Sequence, residues 1–176
     1  MFRRKNGQIF GVLNDFDLSV LRDQQTPSSK QRTGTKPYLA IDLLNKDGYE
    51  HKYRHDLESF FYVIVWLTSR YHDGEEIPKP PLQDWANLGG ASLQKEKAAF
   101  ILTQNHKPTP HFKLFGIWVA SMQSAMVRGI TARRLYISSL EFAPKKSGLQ
   151  TSFDDETLGG NVTFDVFRQI MSSEIE

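Results

Sequence analysis

Eight consecutive apolar residues, Phe60 to Leu67, sit inside a stretch that runs from Asp56 to Arg70 without a turn signal. Periodicity alone leaves this stretch open between a buried helix and a core strand, because Val63, Ile64 and Val65 include β-branched side chains. Its length decides for a helix: fifteen residues exceed a typical strand, and a run apolar on every face belongs inside a protein. Asp56 stands where a helix cap is expected. A chain built on such a helix must surround it with other elements, and the rest of the sequence supplies them.

Ser92 to Thr103 carries the Leu93, Lys97, Phe100, Ile101 pattern of an amphipathic helix. After the Pro108-Thr109-Pro110 break, Phe115, Trp118, Val119, Met122 and Met126 form a helical stripe that reads as core. Gly129 is expected to end or kink that helix, with Thr131 to Leu140 forming another. Thr163 reads as the cap of a last helix whose Phe164, Phe167, Ile170 and Met171 face inward. Only the start looks β: Phe2 opens a strand, Lys5-Asn6-Gly7 turns, and Gln8 to Leu13 returns. The fold class expected is mainly α with a short N-terminal β-hairpin.

Composition removes several functions. There is no cysteine, so disulfides and thiolate metal sites are excluded and an intracellular location, cytoplasmic or nuclear, is expected. The net charge of +2 is spread over interspersed acids and bases, which gives no footprint for nucleic acid. The longest apolar run falls far short of the roughly 20 residues that cross a bilayer, so no membrane partner is expected.

The histidines do not assemble a zinc site. His51 and His55 lie four apart without the protease glutamate or a third ligand, and His106 and His111 flank prolines as surface residues. Asp154-Asp155-Glu156 lacks the spacing of a calcium loop and reads as solvated. Asp15-Phe16-Asp17 at a strand end places two carboxylates in a way that suits a hard cation such as Mg²⁺, although such a pair is more often a turn former. The polar stretch from Val20 to Thr35 is expected to be a long loop, either functional or a linker.

Order sharpens this reading. Asp15-Phe16-Asp17, then a polar basic loop, then Arg32-Thr33-Gly34-Thr35-Lys36-Pro37-Tyr38-Leu39-Ala40-Ile41-Asp42, then Arg54-His55-Asp56-Leu57-Glu58-Ser59 resembles the middle of a protein kinase. More closely, it resembles the fungal-type protein kinases, with casein kinases more distant. The resemblance implies one partial kinase domain over residues 1–176: residues 1–17 a hairpin with the DFG-like segment, 18–42 the activation segment, and 43–176 the helical C-terminal lobe. The function implied is ATP-dependent phosphoryl transfer to Ser/Thr hydroxyls of a protein substrate.

By the same resemblance, Asp15 matches the aspartate that holds Mg²⁺ against ATP, and Phe16 its packing neighbour, so both would contact the cofactor. Asp17 replaces the usual glycine. Thr33, Gly34 and Thr35 fall on the substrate side of the activation segment. Asp42 stands for the glutamate of Ala-Pro-Glu, which pairs with an arginine, for which Arg133 and Arg134 are candidates. Asp56 matches the aspartate at the head of the central helix that orients the catalytic loop.

The 176 residues contain no glycine-rich phosphate loop, no strand lysine with its glutamate and no HRD-type catalytic loop. The expectation is a chain that enters the fold after these parts, either a true fragment or one read from an internal methionine. Alone it would be inactive and bind neither ATP nor Mg²⁺. The alternative is a pseudokinase-like module that binds a protein partner. Thr26, Ser28, Ser29 and Thr33 lie near Arg22, Lys30 and Arg32, an arrangement open to phosphorylation.

Overall fold

The computed structural model describes residues 2–11, 35–45, 50–103, 106–142 and 152–173. The chain divides into two compact units, Met1–Thr33 and Gly34–Glu176.

In the first unit, β1 (Phe2–Lys5) pairs antiparallel with β2 (Gln8–Gly11), in the register Phe2↔Gly11 to Lys5↔Gln8. Asn6 and Gly7 turn the chain with φ of 51° and 77°. Two consecutive positive φ values match the right-handed twist of the flanking strands, which is why Asn-Gly is a strong hairpin signal. The return strand is described as far as Gly11.

The second unit is mainly helical and is organised around α1 (Tyr53–Arg70). Leu57, Phe61 and Val65, each four residues apart, and Tyr62 beside them are buried. The spacing puts them on the inward side of one helix. Against them pack Leu93 and Ile101 of α2 (Gly90–Thr103), then Val119, Met122 and Met126 of α3 (Phe115–Phe142). Leu158, Val162 and Phe167, the last from α4 (Phe164–Ser172), complete the same core. Among the described residues no helix is long and apolar enough to cross a membrane.

Several expectations change. Helix α1 begins three residues before Asp56, and Asp56 does not cap it. The first free N–H groups go elsewhere: Tyr53 N–H donates to Glu156 Oε2 at 2.8 Å and Arg54 N–H to Glu156 O at 3.1 Å. Lys52 N–H donates to His55 Nδ1 at 3.0 Å. The carboxylate and the backbone carbonyl of Glu156, about 100 residues away, thus each satisfy a donor that a local aspartate was expected to take. Nor is α1 buried all round, since Phe60 and Leu67 remain exposed.

A second small hairpin follows α1 directly, β3 (Tyr71–His72) with β4 (Glu75–Glu76), where only a turn was read. Asp73 and Gly74 repeat the double positive φ, at 49° and 86°. Arg70 closes this corner. Its guanidinium lies 3.9 Å over the Trp66 ring and donates to Glu76 Oε1 at 2.7 Å and Pro81 O at 2.5 Å.

Helix α3 runs through Gly129 without a break, joining what read as two helices. Gly129 is there for close approach: a Cβ would stand 2.7 Å from Leu158 Cβ. His106 is half-buried rather than freely exposed. Its Nε2 lies 3.1 Å from Thr68 Oγ1, and burial pushes the imidazole down to about 4. Thr163 does cap α4, accepting from Val166 N–H at 3.1 Å, and Phe167 faces the core while Phe164 is exposed.

Candidate functional site

Residues 35–45 form two short 3₁₀ turns, Lys36–Tyr38 and Ile41–Leu44, joined by an extended Leu39-Ala40 link. Pro37 at the start of the first turn has no N–H to satisfy, which suits it to that position. Such a segment has few internal hydrogen bonds, so its conformation depends on what the helices provide.

The helices provide a great deal. Lys97, on the same face of α2 as Leu93 and Ile101, is 0% exposed, and its Nζ donates to Leu39 O at 2.5 Å. The ammonium also sits 3.8 Å over the Tyr62 ring and 5.2 Å from Trp85. Glu58 Oε1 accepts Ile41 N–H at 2.8 Å and Tyr62 O–H at 3.0 Å. Gln94 Nε2 donates to Ile41 O at 3.3 Å. Burial draws the Lys97 amine down to about 7 against the opposing charge of Glu58. Burial likewise raises Glu58, opposed by the Ile41 and Tyr62 hydrogen bonds and by Lys97.

Asp42 ends the segment in a cluster of charges. Its Oδ2 accepts from Arg54 Nη2 at 2.7 Å and Arg133 Nη1 at 3.3 Å, with His55 Nε2 at 3.7 Å. Arg54, 4% exposed, also donates from Nε to Asp155 O at 2.8 Å. Arg133 Nε lies 3.0 Å from Asp155 Oδ1, and Lys52 Nζ lies 3.6 Å from Asp155 Oδ2. The acidic stretch that read as a solvated loop therefore supplies the second anion of a clamp. Burial works to raise the Asp42 carboxyl. The adjacent His55 ring, the hydrogen bond from Arg54 and the charges of Arg54 and Arg133 outweigh it and hold the group well below the usual carboxylate range.

Of the residues singled out in the sequence, Asp42 is at the centre of this arrangement and Arg133 is one of its partners. Arg134 is exposed and makes none of these contacts. Thr35 is exposed at the head of the first 3₁₀ turn, and its side chain makes no capping bond. Asp56 points to solvent, 72% exposed, and pairs with His51 at 3.2 Å. Asp15, Phe16, Thr33 and Gly34 lie outside the described residues, as does the stretch from Val20 to Thr33. No three His, Asp or Glu residues are placed to hold a metal ion among the described residues.

The missed members are Arg54, His55, Glu58, Lys97 and Asp155. A lysine at a core position of an amphipathic pattern was the visible signal for Lys97, since a buried ammonium requires partners. Arg54 and Glu58 lay within the run that carried the kinase resemblance without any charge partner being assigned to them. Asp155 gave no local signal, because its partners Lys52 and Arg54 lie about 100 residues away in sequence and Arg133 lies on another helix.

The arrangement is an anchor. It holds both backbone groups of Ile41, the Leu39 carbonyl and the Asp42 side chain, leaving Thr35 and Lys36 presented to solvent. The fungal protein kinase family model matches residues 1–68. That span contains the hairpin, residues 35–45 and α1 as far as Thr68, so Asp42, Arg54, His55 and Glu58 lie within it while Lys97, Arg133 and Asp155 lie beyond it. No curated protein and no solved structure matches the chain.

Proposed function

We propose that the chain is the substrate-side part of a fungal-type Ser/Thr protein kinase, a C-terminal lobe, with residues 35–45 as the anchored end of its activation segment. One observation carries this reading. A segment inside the stretch matched by the kinase family model is held by Asp42 on two arginines and by Lys97 and Glu58 on its backbone, while Thr35 faces solvent. Phosphoryl transfer gains most of its rate from positioning and electrostatics. A clamp that fixes the segment next to a protein substrate contributes to the positioning part. Within this reading the partner is a protein whose hydroxyl is phosphorylated.

ATP and Mg²⁺ are assigned to Asp15 and Phe16, which lie outside the described residues. These 176 residues taken alone are expected to show no nucleotide-dependent rise in melting temperature with Mg²⁺ and ATP. The decisive experiment reads the transcript upstream of the Met1 codon and expresses the longer frame. An in-frame His-Arg-Asp segment followed by an asparagine, with Ser/Thr phosphorylation that Asp15→Ala abolishes, is the expected result. A stop codon upstream, or a longer product inactive with ATP on Ser/Thr substrates, overturns it.

A second reading, a pseudokinase-like module that binds a protein partner, is favoured by the apolar surface at the end of α3. Leu135, Leu140 and Phe142 are exposed there, more apolar side chain than a solvated helix end requires.

A further inference from the structure

Between α1, α2, α3 and residues 158–162 lies a cavity of about 190 Å³. Its walls are largely aliphatic: Ile101, Leu102, Met126, Ile130, Leu158 and Val162. Leu102 and Ile130, 66% and 40% exposed, are its most solvent-exposed apolar members. An apolar cavity of roughly 150 Å³ is large enough to stay dry and take up benzene. The space here therefore suits one six-membered ring.

Four charged side chains also line it: Asp42, Arg54, Glu58 and Arg133. Two of each sign cancel, and Asp42 is already spent on the two arginines. A net charge on a ligand would find no uncompensated partner, and burying it would be costly. Glu58 differs. Among the described residues its hydrogen bonds, from Ile41 N–H and Tyr62 O–H, both end on Oε1, and Glu58 lines the cavity, so its second carboxyl oxygen can accept from whatever enters. Apolar walls with a single convergent acceptor are the ordinary composition of a small-molecule site.

We propose that this cavity binds a single aromatic ring bearing one O–H or N–H donor, phenol being the simplest case, with the ring among the aliphatic walls and the donor on Glu58. The proposal does not depend on the kinase reading, because every residue it uses belongs to the second unit and none takes part in nucleotide chemistry. It does bear on the anchor, since Glu58 serves both the cavity and the Ile41 amide.

The test is a titration of the full 176-residue chain, labelled at Met and Ile methyl groups, followed by NMR. Phenol, anisole and benzoate are the probes. Phenol is expected to move the Met126 and Ile101 methyl signals saturably, anisole to bind about five-fold more weakly for want of one hydrogen bond, and benzoate not to bind. Ala98→Phe, which fills the cavity from α2, should abolish binding of both phenol and anisole. Glu58→Gln should erase the preference for phenol over anisole; if that variant does not fold, the wild-type comparison of the two probes carries the test. The proposal fails if millimolar phenol produces no saturable shift. It fails equally if anisole binds as well as phenol, or if Ala98→Phe leaves binding unchanged.

Discussion

Arg54 and Asp42 hold opposite charges within 2.7 Å of one another, Arg54 buried and Asp42 partly so. Removing Asp42 leaves the buried Arg54 opposed only by Asp155, whose Oδ1 lies 3.6 Å from Arg54 Nη2, which costs about 3 kcal/mol. Asp42→Asn should therefore lower the stability of the chain by roughly that amount, read as a shift of the urea midpoint at unchanged slope. The pH dependence has a definite sign. The Asp42 carboxyl is depressed in the folded state, so its contribution is complete above the unfolded carboxylate value of about 3.9 and is lost as the pH falls below it. Asp42→Asn should flatten that acid limb. Lys97 acts on the other side of neutrality. Its folded value, drawn down to about 7 by burial, lies below the unfolded value of about 10.4, so the unfolded chain binds the extra proton between them and stability rises with pH across that interval. Lys97→Met should remove this rise. It should also cost about 1–3 kcal/mol at neutral pH, because Leu39 O loses its donor and Glu58 the nearby positive charge.

Among the elements, the helices were legible where one face carried the information. The buried positions of α1, α2 and α3 repeat at three and four residues, and each helix was found within a few residues of its ends, except that α3 was divided. Gly129 explains that division. Glycine in a helix ordinarily weakens it by about 1 kcal/mol relative to Ala, and a single sequence does not show that Leu158 will pack where the missing Cβ would be. Gly129→Ala separates the two effects. If propensity governed, the variant would be stabilised; because the Cβ meets Leu158 Cβ at 2.7 Å, a loss of about 1–3 kcal/mol is expected by thermal melting. The start of α1 was misplaced for a related reason: its donors are met by Glu156, and no local pattern around Asp56 reports on a partner so far along the chain. At α4 the signal was local and complete. Thr163→Ala should cost about 1 kcal/mol, the usual worth of a side-chain cap.

For the molecule as a whole, the division at Thr33 makes a direct prediction. Residues 34–176 contain the entire core that joins α1, α2, α3 and α4, so that piece expressed alone should unfold in a single cooperative transition. A broad, uncooperative melt would show that the second unit needs the first. The order of the charge cluster along the chain has a further consequence, for biosynthesis. Asp42 and Arg54 leave the ribosome early, whereas Arg133 and Asp155 follow about 90 and 110 residues after Asp42. At cellular translation rates the interval between Asp42 and Asp155 is roughly 6 to 20 s. Throughout that time a nascent chain exposes an arginine destined for the interior, opposed by only one of its two acids. Chaperone binding to nascent chains stalled on an added C-terminal linker should accordingly fall sharply once residue 155 has cleared the exit tunnel.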